Sequence, residues 1–318
     1  MRILRHYRNL PPDARGAVAA MGNFDGVHLG HRALIGEAAR VAREANRQLA
    51  ALVFEPYPRE FFRPQEEPFR LTPFRAKAHL LAQAGVDLLI VLGFDAEMAA
   101  MKAQDFVMQV LVVELGIAHL VVGADFRFGK GRAGDACVLA YMGEMEGFGV
   151  TVFSPVSAGD SEKISSSDIR AGLKAGRPEE AARLLGHHWT VEGHVAHGDA
   201  RGRALGFPTA NLKLEHALHP AYGIYAVRVR LPDGSVKDGV ANFGVRPMFE
   251  LPAPLLEVHL FDFSGDLYGQ VLSVELIAYL RGEKRFESLD ALKSQIEADC
   301  REARRILANL PLTPTLSP

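Results

Sequence analysis

The sequence predicts an α/β chain built in two parts: a doubly wound parallel sheet over residues 1–186, then a small antiparallel barrel or sandwich over 187–310. Three observations carry this expectation. Up to about residue 186, short runs rich in Val, Leu, Ile and Phe alternate with segments whose apolar residues recur at helical spacing, as in a parallel sheet covered on both faces. After residue 187, shorter segments alternate apolar with polar residues and are punctuated by Gly, Pro and Asp, as in "LPDGSV", the texture of antiparallel strands. The 318 residues, 48% of them hydrophobic, suffice for roughly two domains with a core in each.

In the first part the expected strands are residues 16–22, 49–54, 87–94, 119–124 and 150–156. None alternates, which suits strands buried on both faces. Between them "HRALIGEAARVAREANRQ", "TPFRAKAHLLAQAG", "MKAQDFVMQVLVVELG" and "CVLAYMGEMEGFG" carry the helical period. In the second part "WTVEGHVAHG", "GIYAVRVRL", "VKDGVANFG", "LLEVHLFDF" and "QVLSVELIAYL" read as strands. One long amphipathic helix, "SLDALKSQIEADCREARRILANL", follows, with Ser288 as its N-cap. The end, "PLTPTLSP" (311–318), has no apolar periodicity and reads as a disordered tail.

Charge and composition remove several classes of function. A net charge of −2 leaves no electrostatic footprint for nucleic acid or an anionic membrane. The basic N-terminus lacks the apolar core of a signal peptide, and no window approaches the roughly 20 apolar residues of a membrane span. Cys137 and Cys300 fit no metal or redox spacing; they read as buried structural thiols in a reducing, cytoplasmic compartment.

The most informative stretch is "MGNFDGVHLGHRAL", residues 21–34. A turn between a buried parallel strand and a helix lies at the carboxyl edge of the sheet, where ligands of open α/β folds bind. Gly22, Gly26 and Gly30 would give the backbone positive φ and close approach to a ligand. His28 and His31, three apart, would share one face of the first helical turn. With the helix N-terminus behind them, two imidazoles make a phosphate clamp. A Walker A loop is absent, which excludes P-loop chemistry. "KISSSDIRAGL" (163–173) adds Ser166 and Ser167 before a helix carrying Arg170, again equipment for an anion.

At this point a resemblance becomes specific. "GNFDGVHLGH" resembles the nucleotide-binding signature of the HxGH nucleotidyltransferase superfamily in the form found in prokaryotic FAD synthetases, and "FEPYPREFF", "VVGADFRFGKGRAG" and "ISSSDIR" resemble the later motifs in order. "GHVAHGDARGRALGFPTANL", "GVANFGVRPMF" and "LEVHLFDFSGDLYG" resemble the riboflavin kinase domain. Apart from its tail, the whole chain is similar to the bacterial bifunctional riboflavin kinase/FAD synthetase family. The resemblance implies a nucleotidyltransferase domain over 1–186 and a β-barrel kinase domain with a C-terminal helix over 187–310. It implies riboflavin, FMN and ATP as substrates, Mg²⁺ as cofactor, and FMN and FAD as products. It also implies nucleotide contacts at Gly22, Phe24, Gly26 and Gly30, with Ser166, Ser167 and Arg170 on the β- and γ-phosphates, and flavin contacts at Asp125, Phe207 and Arg246. Met248 stands where the family usually has threonine, which removes a hydroxyl near the flavin or nucleotide.

The residues of the kinase half support the same reading. Gly193, Gly198, Gly202 and Gly206 suit a phosphate-hugging loop without a P-loop lysine. Thr209 and Asn211, separated by one residue on an extended segment, point the same way and suit Mg²⁺, the role the resemblance gives them. Glu257 is flanked by Leu255, Leu256 and Val258 and would share a strand face with Leu255 and His259. An apolar setting raises a carboxyl pKa toward the range useful in a general base, and the resemblance assigns Glu257 that role. His194 and His197 lack two further ligands at metal spacing, which argues against zinc. Three other readings compete: a riboflavin kinase with a degenerate nucleotidyltransferase half, a non-catalytic flavin-binding protein, and an adenylyltransferase for another substrate.

Overall fold

The non-alternating runs of the first part pair side by side into one parallel sheet. In the computed structural model, which describes residues 1–154, 164–196, 202, 205–214, 217–245 and 254–310, two compact units are distinguished. The first comprises Met1–Glu66 and Phe74–Ile164; the second, Glu67–Pro73 and Ser165–Ser317.

The sheet of the first unit contains β1 (Arg2–Leu4), β2 (Val18–Met21), β3 (Leu49–Glu55), β4 (Leu88–Gly93), β5 (His119–Gly123) and β8 (Gly149–Phe153). Its order is β1-β4-β3-β2-β5-β8 and every pairing is parallel. Two-residue strands β6 (Arg127–Phe128) and β7 (Gly134–Asp135) form a separate small ladder. The helices are α1 (Leu29–Glu44), α2 (Pro58–Phe62), α3 (Phe74–Gln83), α4 (Ala96–Ala100), α5 (Ala103–Asp105), which runs on as a π-helix over Phe106–Glu114, and α6 (Ala136–Glu146). Successive residues of a strand face opposite sides, so β2 serves two cores. Val18 and Ala20 pack with Ile35, Ala38 and Ala42 of α1, while Ala19 and Met21 pack with Val107, Val110 and Leu111 of the π-helix. From β2 the chain first winds toward β4 and β1 and then crosses to β5 and β8, which puts the switch in strand order between β2 and β5.

The second unit starts with α7 (Ser166–Lys174) and α8 (Pro178–Leu185). Strands β9 (Trp189–Ala196), β10 (Ala210–Lys213), β11 (Gly223–Arg230), β12 (Val236–Val245), β13 (Pro254–Leu260) and β14 (Val271–Arg281) close into an antiparallel barrel, and α9 (Leu289–Ala308) follows. Closure rather than a sandwich results from β10, which bridges β9 and β13. Alternation places Trp189, Tyr225, Phe243, Leu256, Leu272 and Leu276 in the barrel interior. Ser288 caps α9 as expected, accepting from the Ala291 N–H at 3.1 Å. At the other end the buried Arg228 donates to the carbonyls of Leu307 and Leu310, a cation at the negative end of the helix dipole.

Several elements escaped the sequence reading. β1 is too short for any periodicity to show, and β10, which begins at Ala210 near the end of the "FPTAN" motif, reads in the sequence only as an extended segment. The compact division at 164/165 also differs from the change of texture at 186/187. Ala181 and Leu185 of α8 are buried, α8 packs on β9 and β14, and the Trp189 indole N–H donates to the Leu71 carbonyl at 2.8 Å. Cys137 is exposed on the first turn of α6, contrary to the expectation of a buried thiol, while Cys300 is half-buried beside the α9–barrel contact. The expected tail over 311–318 lies outside the described residues. Among the described residues no helix is long and apolar enough to cross a membrane.

Candidate active sites

In the first unit β2 ends at Met21 and α1 begins at Leu29, so residues 22–28 form the turn at the carboxyl edge, beside the switch to β5. Positive φ falls on Phe24 (48°), Gly26 (86°) and Val27 (41°). Of the three glycines expected to adopt it, only Gly26 does. Left-handed backbone at a non-glycine residue costs on the order of 1–3 kcal/mol and persists only where the surroundings enforce it. The surroundings here are well packed: Phe24 and Val27 are fully buried in the core beneath α1. Gly30 has a different task. A Cβ there would stand 3.2 Å from the His28 ring, so glycine makes room for the imidazole.

His28 is the N-cap of α1, a position usually held by Ser, Thr, Asp or Asn. Its Nδ1 accepts from the His31 N–H at 3.2 Å. An accepting Nδ1 carries no proton, so the neutral ring holds its proton on Nε2 as a donor. The His28 and His31 rings stack at 3.6 Å, and Phe24 stands edge-on to His31 at 5.3 Å. The two imidazoles therefore form one packed face at a helix N-terminus, the arrangement that three-residue spacing predicts.

Beneath this turn lies a polar group that the sequence reading missed. The Tyr57 hydroxyl lies 3.3 Å from both the Asn23 carbonyl and Asp25 Oδ1. Lys77 donates to Glu55 at 2.8 Å, with its ammonium 4.1 Å from the Tyr57 ring centre. Tyr57 sits inside the quoted "FEPYPREFF"; Lys77 gave no signal, because a lysine on an amphipathic helix reads as solvent-facing. Around the same sheet edge, the Phe94 ring meets Phe54, Phe61 and Phe62, and Phe126 stacks on Phe128. Phe62 stays 63% exposed. Asp125 follows β5 and is exposed at the switch.

Ser166, Ser167 and Arg170 belong to the second unit, on α7. The cap is Ser165, whose Oγ accepts from the Asp168 N–H at 3.2 Å, so Ser166 and Ser167 are the first two helical residues. Arg170 is fixed by donation from Nε to the Phe69 carbonyl at 2.8 Å and by the Phe69 ring at 5.2 Å.

The barrel brings its candidates together by register. Asn211 on β10 pairs directly with Glu257 on β13, and Glu257 pairs on its other side with Asn242 on β12. Cross-strand partners share a face, so two amides flank the carboxylate in one row. The apolar flank expected from the sequence is therefore corrected in part: Leu256 and Val258 point to the barrel interior, and Glu257 shares its face with Leu255 and His259. Thr209, just before β10, has its hydroxyl beside Gly202. The Phe207 N–H donates to the Gly202 carbonyl at 2.8 Å, and a Cβ at 202 would collide with the Phe207 carbonyl. Phe207 stands edge-on to His259, which lies 2.9 Å from the Pro208 carbonyl through Nδ1. A cavity of about 290 Å³ opens beside Thr209, walled by Val195, Val258, Leu260 and the 263–268 loop. Gly193 lies within β9 opposite Leu272, not in a loop. His194 is exposed, and Gly198, Arg246, Met248 and His197 lie outside the described residues.

The FAD synthetase family matches residues 10–168, and the riboflavin kinase family matches residues 185–307. The chain is 42% identical over 305 residues to the bifunctional riboflavin kinase/FMN adenylyltransferase of Escherichia coli (strain K12), covering 96% of this chain and 97% of that one. It is 40% identical over 304 residues to the Haemophilus influenzae protein of the same description, covering 96% and 98%. A solved structure from Streptococcus pneumoniae, described as a macrolide-efflux protein, is similar with a TM-score of 0.84 at 29% identity, over 98% of this chain and 99% of that chain.

Proposed function

The chain belongs to the bifunctional riboflavin kinase/FMN adenylyltransferase family, and from that premise we propose which of its residues serve each of the two reactions. It phosphorylates riboflavin to FMN with ATP, and adenylylates FMN to FAD with release of pyrophosphate. The observation that carries the assignment is that each unit holds its own constellation: stacked imidazoles at a helix N-terminus in the first, and a carboxylate flanked by two amides in the second.

In adenylylation an FMN phosphate oxygen attacks the α-phosphorus of ATP while the bond to pyrophosphate breaks. No covalent enzyme intermediate is needed, so the protein positions the reactants and stabilises developing charge. His28 donates through Nε2 to a phosphate oxygen, with His31 stacked against it and the N–H groups of α1 behind both. Gly22, Phe24, Gly26 and Gly30 shape the turn. Ser166, Ser167 and Arg170 hold the β- and γ-phosphates, an assignment resting on their motif. Asp125 and the phenylalanines of the sheet edge suit the flat, apolar isoalloxazine.

In the kinase step the riboflavin 5′-hydroxyl attacks the γ-phosphorus and ADP leaves. Glu257 takes the hydroxyl proton, with Asn211 and Asn242 orienting its carboxylate. Thr209 and Asn211 offer neutral oxygen donors of the kind Mg²⁺ takes alongside its waters, which fits the metal that the family implies. Bound there, Mg²⁺ would neutralise charge on the ATP phosphates. The cavity beside Thr209 suits the nucleotide base, with the turn carrying Gly202 along its phosphates and Phe207 beside the flavin; the assignments of Gly193 and Gly198 to the nucleotide and of Arg246 to the flavin rest on their motifs. Two cysteines without a disulfide and the use of ATP fit the cytoplasm.

The test is incubation of the full chain with riboflavin and Mg-ATP, with products separated by chromatography. FMN followed by FAD is expected. FMN alone would restore the reading with a degenerate nucleotidyltransferase half, and neither product would sink the proposal.

A further inference from the structure

Lys77 is fully buried, in the middle of α3, in a unit whose other buried helical positions are apolar. Burying an ammonium is unfavourable unless it is paired, and Leu or Met would fill the same space against the sheet. Packing alone therefore does not account for a lysine. Its contacts supply a reason. The ammonium donates to Glu55, at the carboxyl end of the central strand β3, and sits 4.1 Å from the centre of the Tyr57 ring.

A cation over a phenol face draws on its π-density and makes its hydroxyl a stronger donor. That hydroxyl faces two acceptors in the turn, the Asn23 carbonyl and Asp25 Oδ1, each at 3.3 Å. The two acceptors precede Phe24 and Gly26, which have positive φ, as does Val27 next to His28. Such a backbone holds its shape only when its neighbours enforce it. Tyr57 is itself anchored through its backbone N–H, which Glu60 accepts at 3.2 Å.

We propose that Lys77 is a positioning residue for adenylyl transfer: clamped between Glu55 and the face of Tyr57, it fixes the Tyr57 hydroxyl against Asn23 and Asp25 and so fixes the turn that presents His28 and His31. The inference rests on the assignment of His28 and His31 to that reaction. Lys77 touches no substrate, and the kinase step does not involve it.

The test uses the full chain with Lys77→Met, Lys77→Arg, Tyr57→Phe and Lys77→Met/Tyr57→Phe, measuring kcat and KM for FMN adenylylation alongside riboflavin phosphorylation. A displacement of about 1 Å in a reacting group can cost about 10²-fold; Lys77→Met is expected to lower the adenylylation kcat by about 10–10²-fold. KM for ATP and FMN should move far less, and phosphorylation should hold. Lys77→Arg should recover part of the loss. Tyr57→Phe, which removes one oxygen and keeps the ring, should reproduce the effect even if Lys77→Met folds poorly. The double variant should be no worse than the more damaged single, since both act through one path. Losses that multiply in the double variant, an unchanged kcat in both Lys77→Met and Tyr57→Phe, or a parallel fall in both reactions would overturn the proposal. His28→Ala serves as the control. If it leaves FAD formation intact, the parent assignment fails; if it removes FAD formation while Lys77→Met and Tyr57→Phe do not, only this inference fails.

Discussion

The turn of the first unit and the barrel row of the second present functional groups in opposite ways. His28 and His31 sit on a short loop with left-handed backbone at Phe24, Gly26 and Val27, kept in shape by a buried aromatic ring and a polar group beneath. Asn211, Glu257 and Asn242 sit on three ordinary strands, and their adjacency follows from register alone. A loop can aim side chains in directions that no regular element offers, but its geometry depends on contacts contributed from elsewhere in the chain. A strand row needs no such support, because the ladder hydrogen bonds fix the spacing of neighbouring side chains. The barrel site should therefore respond mainly to changes in its own chemistry. The turn should respond also to residues that never meet substrate.

The largest effect tests the barrel side. Glu257→Gln keeps the shape and the strand pairing but removes the base, so phosphorylation should fall by roughly 10²–10⁴-fold. FMN adenylylation by the same protein should continue. Normal phosphorylation by the variant would remove Glu257 from the mechanism and reduce the amide–carboxylate row to a feature of the barrel surface.

The next effect tests the turn. His28→Ala deletes both a phosphate donor and the cap of α1, and loss of one positioned donor typically costs about 10²–10³ in kcat. FAD formation should fall by that order while FMN formation from riboflavin persists, so FMN accumulates. If FMN production fell while FAD synthesis from supplied FMN survived, the two reactions would have been assigned to the wrong units.

Gly30→Ala sharpens the contrast further, because it alters no functional group. Its φ is ordinary, so the backbone tolerates alanine, but the new methyl meets the His28 ring at 3.2 Å and the ring must yield by a few tenths of an ångström. Adenylylation should drop by about tenfold or less, well short of the loss in His28→Ala. Melting temperature should change little. Full activity would mean that the His28 ring position is not critical, which would weaken the claim that the turn is a precisely supported device.

How much of each site was legible follows from the same contrast. The motif at residues 21–34 exposed the turn, its place at the carboxyl edge and the shared face of His28 and His31, because these depend on local order. It misplaced the strained backbone, which falls on Phe24 and Val27 and not on Gly22 or Gly30, since burial of a side chain overrides the glycine preference there. Tyr57 and Lys77 were invisible as partners, because their relation to the turn exists only after β3 and α3 pack. For the barrel, alternation gave the face of Glu257 correctly, yet its true neighbours are amides from strands 46 positions before and 15 positions before it in the chain. Neighbours in sequence point to the opposite side of a strand, so an environment inferred from "LLEVHL" describes the wrong face.

The smallest expected effect separates the two units by stability. Each holds a half-buried histidine whose pKa is pushed below the usual value of 6.5: His119 on β5 and His188 just before β9. Burial is the main cause in both, and at His188 the positive charges of Arg228 and His187 add to it. The sign is fixed by linkage. Well above pH 6.5 neither the folded nor the unfolded state holds the proton, and there these groups contribute nothing to the pH dependence. As pH falls below 6.5 the unfolded chain takes up a proton that the folded ring refuses, so stability declines until the folded pKa is reached. Trp189 is the only tryptophan and is buried in the barrel, so its fluorescence follows the second unit. The midpoint of thermal unfolding read from Trp189 should fall as pH is lowered from about 7.5 to 5.5. His188→Gln, which cannot titrate, should flatten that dependence, whereas His119→Gln should leave it unchanged. Equal slopes for the wild type and His188→Gln would show that His188 does not set the acid sensitivity of the barrel unit, and a flattening by His119→Gln would show that the two units do not unfold independently.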